Sequence, residues 1–131
     1  MNRSLQISIA DDEPTIRMFL ARLLTLWGHR VVSVSENGQD LVEQCRALKP
    51  DLVITDISMP VLDGIDASIQ ICEQQSIPVI VISGHPELIE RSRKTNIRAC
   101  LLKPVQMGQL QAAIDTAMAP PGTPEAMTGT C

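Results

Sequence analysis

The chain has 131 residues, 44% of them hydrophobic, and carries 11 Lys and Arg against 15 Asp and Glu for a net charge of −4. That length suits one domain with a core that needs no disulfide or metal staples. The acidic balance argues against a duplex-binding surface, and one Trp, one Phe and no Tyr leave little to stack on nucleobases.

Leu5 to Ala10 alternates apolar and polar residues and ends in Asp11-Asp12-Glu13-Pro14, a first strand followed by an acidic turn. Pro14 suits a first helical turn, and Asp12 is expected to cap that helix. Ile16, Phe19, Leu20, Leu23, Leu24 and Trp27 recur at three-and-four spacing along it, with Gly28 as its stop. Val31 to Ser35 gives strand two. Helix two starts after Asn37-Gly38, turns Leu41, Val42, Cys45 and Leu48 inward, and stops before Pro50. Leu52-Val53-Ile54-Thr55-Asp56 is a short apolar run into one carboxylate, the pattern of a strand buried on both faces. Asp63-Gly64 closes the loop after Pro60; Ile65, Ile69 and Cys72 line a third helix, and Pro78 to Ser83 repeats the buried-strand pattern. A short helix is expected from about Glu87 to Lys94. Ala99 to Lys103 reads as strand five, ended by Pro104, and Met107 to Met118 as helix five with Leu110, Ala113, Ile114 and Ala117 inside.

Strand and helix alternate five times, which implies a parallel sheet covered on both faces. The expected fold is α/β and flavodoxin-like, a (βα)5 doubly wound five-stranded parallel sheet in the order 2-1-3-4-5. Residues 1–119 form the expected domain and 120–131 a Pro-rich tail or linker. Cys45, Cys72, Cys100 and Cys131 form no C-x-x-C pair and have no histidine at metal-ligand spacing, so the first three are expected to be buried reduced thiols. No run approaches the roughly 20 apolar residues of a membrane span, and the N-terminus runs into a strand, so a cytoplasmic protein is expected.

In such a sheet Asp11, Asp12, Asp56, Ser83 and Lys103 all reach the carboxyl edge, where open α/β sheets bind ligands. Three close carboxylates repel unless something positive sits among them, and an all-oxygen set suits a hard cation such as Mg²⁺. Lys103 offers a point charge and Ser83 a hydroxyl for phosphate oxygens. A carboxylate nucleophile with this company is equipment for phosphoryl transfer to Asp56.

Asp11-Asp12-Glu13-Pro14, Asp56 with Met59-Pro60 and Asp63-Gly64, Ser83, and Lys103-Pro104 together resemble the receiver domain of two-component response regulators, across about residues 5 to 118. The resemblance implies that Asp56 is the phospho-acceptor, served by a sensor histidine kinase or phosphotransfer protein. It implies that Asp12, Asp56 and the backbone carbonyl of Ser58 bind Mg²⁺ directly, with Asp11 acting partly through water. Lys103 would hold the phosphoryl group and Ser83 would swing to bond it. Output would go to a downstream protein, with neither direct nucleic-acid binding nor a membrane, and a homodimer through helix 4, strand 5 and helix 5 is left open.

Three departures from the family stand out. Cys100 replaces the usual aromatic three residues before the lysine. The stretch from Ser83 to Lys103 is short, with Asn96-Ile97-Arg98-Ala99 in place of the usual Gly-Ala. Ser58 and His85 hold the two positions that tune attack of water on the phosphoaspartate. His85 also reads as a plain loop histidine, and Arg91, Arg93 and Lys94 as a solvated face or a docking patch. Two other functions compete with this one. A phosphorylation-independent scaffold would fit the missing aromatic. A Mg²⁺-dependent phosphatase of the haloacid-dehalogenase type would need D-x-D after the first strand, which Asp11-Asp12-Glu13 lacks. The leading reading is not an enzyme beyond its own phosphorylation and dephosphorylation.

Overall fold

A computed structural model describes residues 4–92 and 97–119. Ten elements alternate along them: β1 (Gln6–Ala10), α1 (Pro14–Leu26), β2 (Arg30–Ser35), α2 (Gly38–Leu48), β3 (Leu52–Asp56), α3 (Gly64–Gln74), β4 (Val79–Ser83), α4 (Pro86–Ser92), β5 (Ile97–Leu102) and α5 (Met107–Met118). The five strands pair in parallel in the order β2-β1-β3-β4-β5. This is the doubly wound, flavodoxin-like order expected. The expected tail, residues 120–131, lies outside the described residues, as does the end of the short fourth helix.

The aliphatic strands explain the layering. Ile7, Ile9, Leu52, Ile54, Ile80, Ile82 and Leu101 point to one side, where Leu20, Leu23 and Leu24 of α1 and Leu110, Ala113, Ile114 and Ala117 of α5 cover them. Val53, Val79, Val81 and Cys100 point to the other, against Leu41, Val42 and Cys45 of α2 and Ile65, Ala67 and Ile71 of α3. Every residue of β3 and β4 is buried, so these central strands can present a charge only at their carboxyl ends.

Several helix details differ from expectation. Glu13, not Asp12, precedes α1, and no side chain caps that helix. Asp11 Oδ1 instead accepts a hydrogen bond from the Glu13 N–H at 2.9 Å. On α3, Ser68 takes a buried position by donating its hydroxyl to the Gly64 carbonyl at 2.6 Å. The inward face therefore runs through Ile65, Ala67, Ser68 and Ile71, while Ile69 is exposed and Cys72 only half-buried. Leu48 and Phe19 are also exposed. Gly28 does stop α1 as expected, at φ 92, a conformation that costs glycine little. β5 begins two residues earlier than the pattern suggested. Ile97 pairs with Val79 and Ala99 with Ile80, so Arg98 is the extra residue of an irregularity, and its guanidinium donates to the Ala117 carbonyl at the end of α5.

Cys45 and Cys72 are free, and burial pushes the Cys45 thiol up to about 12, which keeps it inert. Cys100 departs from the reduced thiol expected, being disulfide-bonded. Among the described residues no helix is long and apolar enough to cross a membrane.

Candidate functional site

The carboxyl edge of the sheet gathers the charged residues. β1 ends at Ala10, and the turn beyond it is fixed by Asp11 N–H donating to the Ser35 carbonyl at 3.1 Å. β3 ends in Asp56, buried with Asp11 while Asp12 stays exposed. Carboxylate oxygens of Asp11, Asp12 and Asp56 all lie within 4.8 Å of one another.

Lys103 follows β5 directly, placed by its own N–H donating to the Ser83 carbonyl at 2.9 Å. Its ammonium lies 3.2 Å from Asp11 Oδ2, 3.3 Å from Asp56 Oδ2 and 3.4 Å from Glu13 Oε1. The Lys103–Pro104 peptide is cis. Glu13 is the one contact of this ammonium that placement at a strand end does not account for. Its signal was present in the run of three acidic residues, but nothing in spacing says which of them reaches a lysine 90 positions away.

Electrostatics at this edge are strained in one direction. Burial, and next the Asp11 charge, raise the Asp56 pKa to about 6, against the opposing pull of Lys103. Burial likewise raises Asp11, offset in part by the Glu13 N–H and by Lys103. Burial pulls Lys103 down, but the Asp56 and Asp11 carboxylates outweigh it and hold it above its ordinary value. One ammonium thus serves two buried carboxylates and leaves negative charge in excess. Asp11 Oδ2 shows the shortfall. It sits 3.2 Å from the ammonium, yet it is fully buried with no donor in hydrogen-bonding geometry. An orphaned buried oxygen beside two further carboxylates is a donor set that fits a hard cation.

The loop from Ile57 to Asp63 forms the other wall. Gly64 N–H donates to the Ile57 carbonyl at 2.8 Å, and the backbone of α3 comes so close to Asp56 that a Cβ on Gly64 would strike the Asp56 carbonyl oxygen. At the far side Gly38 N–H donates to the Leu62 carbonyl at 2.9 Å, and a Cβ there would strike that oxygen. Between these contacts Val61 is held at φ 71 and is largely exposed. Asp63 caps α3 by accepting from the Asp66 N–H at 2.8 Å, and its other oxygen pairs with Arg91 of α4 at 3.2 Å. Asp12, Ser58, Met59, Asp63, Leu88 and Arg91 line an open cleft of about 590 Å³ beside the carboxylates. Arg91, read from sequence as a solvated face or a docking patch, instead bridges α4 to the cap of α3.

The remaining candidates lie at and just past the end of β4 and within β5. Ser83 is fully buried, and its hydroxyl accepts from the His85 N–H at 3.0 Å and donates to the His85 carbonyl at 3.3 Å. The His85 ring is exposed, 3.6 Å from Glu87, a contact that is ionic only when the imidazole is protonated. Cys100 lies opposite Val81 in the ladder, buried in the layer under α2 and α3.

A family model described as the response regulator receiver domain matches residues 7–115. The transcriptional regulatory protein PdtaR of Mycobacterium tuberculosis is 39% identical over 115 residues, an alignment covering 86% of this chain and 56% of that protein. The chemotaxis protein CheY of Thermotoga maritima is 32% identical over 113 residues, covering 84% of this chain and 94% of that one. Among solved structures, the signal receiver domain of the putative response regulator NarL from Mycobacterium tuberculosis superposes with a TM-score of 0.82 at 25% identity, covering 91% of this chain and all of that one. The chain spans about half the length of the first curated relatives it matches.

Proposed function

The chain belongs to the response regulator receiver family, and from that premise we propose that Asp56 accepts a phosphoryl group from a sensor histidine kinase or phosphotransfer protein. The observation that carries this reading is one ammonium, that of Lys103, within 3.3 Å of both Asp56 and Asp11 in a site whose third carboxylate is Asp12. Negative charge in excess of one cation is suited to a divalent cation and a phosphoryl group arriving together.

Mg²⁺ is the cation this oxygen set fits; Asp12, Asp56 and the Ser58 carbonyl would hold it, with Asp11 helping partly through water. When bound, it supplies charge neutralisation for the carboxylates and the phosphoryl oxygens. The Asp56 carboxylate attacks phosphorus in line with the bond to the donor nitrogen. As the P–O bond forms, the P–N bond breaks and its electron pair returns to the donor imidazole. Lys103 holds a phosphoryl oxygen that would otherwise be repelled by Asp11 and Glu13. The Ser83 hydroxyl exchanges its bonds to His85 for a phosphoryl oxygen, which releases the turn leading into α4. Ser58 and His85, two positions past Asp56 and Ser83, set how readily water hydrolyses the phosphoaspartate. With Cys100 in place of a ring, the signal runs through that turn and α4 to a protein partner, or to a second copy through α4, β5 and α5. The domain acts in the cytoplasm and catalyses only its own phosphorylation and dephosphorylation.

The test is acetyl phosphate with Mg²⁺, read by intact mass and by amide resonances in parallel with beryllofluoride. One phosphoryl group on Asp56, with shifts at Ser83 and His85, supports the reading. A protein that takes neither the phosphoryl group nor the mimic sinks it.

A further inference from the structure

We propose that Arg17 is a positioning residue for the cation-binding turn, its guanidinium fixing the peptide that joins Asp11 to Asp12. The inference rests on the reading of Asp12 and Asp56 as Mg²⁺ ligands. Three hydrogen bonds hold this turn: Asp11 N–H to the Ser35 carbonyl at 3.1 Å, Glu13 N–H to Asp11 Oδ1 at 2.9 Å, and Arg17 Nη1 to the Asp11 carbonyl at 2.7 Å. The last is the shortest, and its donor is charged. The carbonyl it grips belongs to the peptide whose nitrogen is that of Asp12, so holding that plane sets the direction in which the Asp12 carboxylate leaves the backbone. No side chain caps α1, and Arg17 supplies the link between that helix and the turn. The side chain is only 19% exposed and so has little room to swing. Its other contact, Nη2 to Glu36 at 4.0 Å, involves a carboxylate that is 74% exposed and is the weaker of the two.

Charge and position predict opposite signs. A fixed positive charge beside a Mg²⁺ site repels the ion, so by charge alone removing Arg17 tightens binding. If Arg17 orients a ligand, removing it weakens binding.

The experiment titrates Mg²⁺ by calorimetry into the wild type, Arg17→Met and Arg17→Lys, and records the Asp12 and Glu13 amide resonances without cation. Arg17→Met, which keeps the stem and loses the donor, is expected to weaken Mg²⁺ at least fivefold and to shift both amides. Arg17→Lys restores a charged donor and is expected to bind within about twofold of the wild type. If Arg17→Met does not fold, Arg17→Ala, which also lacks the donor, takes its place with the same expected loss. Equal or tighter binding in the donor-deficient variant overturns the proposal and leaves the phospho-acceptor reading intact. A wild type that binds no Mg²⁺ overturns both.

Discussion

Replacing Asp56 by Asn should make the cation-free protein more stable at neutral pH. Asp56 is 4% exposed, and burial with the neighbouring Asp11 charge raises its pKa from 3.8 to about 6. Below pH 4 the carboxyl is protonated in both the folded and unfolded chain and contributes nothing. Between about pH 4 and 6 the unfolded chain ionises first, so stability falls as pH rises, and above pH 6 the full penalty is in place. A difference of about two pKa units corresponds to roughly 3 kcal/mol at pH 8, about half that at pH 5, and under about 1 kcal/mol at pH 4. Asn keeps the shape without the charge, so Asp56→Asn should gain most of this at pH 8 and little at pH 4. Urea denaturation of both proteins in EDTA across that range measures it, with a rise in Tm of roughly 10 °C at pH 8 as a second readout. Adding Mg²⁺ should shrink the gap, because the wild type then gains binding energy that Asn cannot supply. A pH-independent difference, or a variant less stable at pH 8, would refute the claim that Asp56 is held under electrostatic strain.

Lys103→Met should separate two functions of one ammonium. Phosphorylation by acetyl phosphate should fall by about 100-fold or more, since a charge held against the transferring group is lost. Mg²⁺ affinity should rise, because Asp11 and Asp56 no longer share their charge with the lysine; calorimetry beside a phosphorylation time course tests both, and undiminished phosphorylation would dismiss the assigned role. Gly64→Ala should cost about 1–3 kcal/mol in urea denaturation, because the added methyl strikes the Asp56 backbone carbonyl, and should shift the Asp56 and Ile57 amides. An alanine variant as stable as the wild type would mean that the approach of α3 to β3 is looser than described.

The sheet was legible because β3 and β4 are mostly apolar runs that turn polar only at their carboxyl ends, at Thr55-Asp56 and at Ser83. Residues at strand ends need only the topology to be brought together, which is why Asp11, Asp12, Asp56 and Lys103 could be assembled from spacing. Side-chain reach is another matter. Glu13 and Arg17 join the site by extending from a turn and from a helix, and neither contact leaves a periodic trace. The expected cap at Asp12 failed because α1 starts one residue later than that cap requires, with Glu13 at the N-cap position. β5 was started late because Arg98 breaks the ladder by one residue, and a break in register looks like a turn in sequence. Ser68 misled the reading of α3, since a hydroxyl that bonds its own helix can be buried as readily as an aliphatic side chain.

The stretch from Ile57 to Asp63 is anchored at one end where Gly64 abuts Asp56, and at the other where Leu62 meets Gly38. Val61 between them sits at φ 71, a conformation that costs a β-branched residue about 1–3 kcal/mol. This has a consequence for protein engineering. Although Val61 is solvent-exposed, the segment has no spare length to lose. A deletion there must lift α2 off Leu62 or pull α3 from Asp56, so a loop that looks free to vary is one that cannot be shortened.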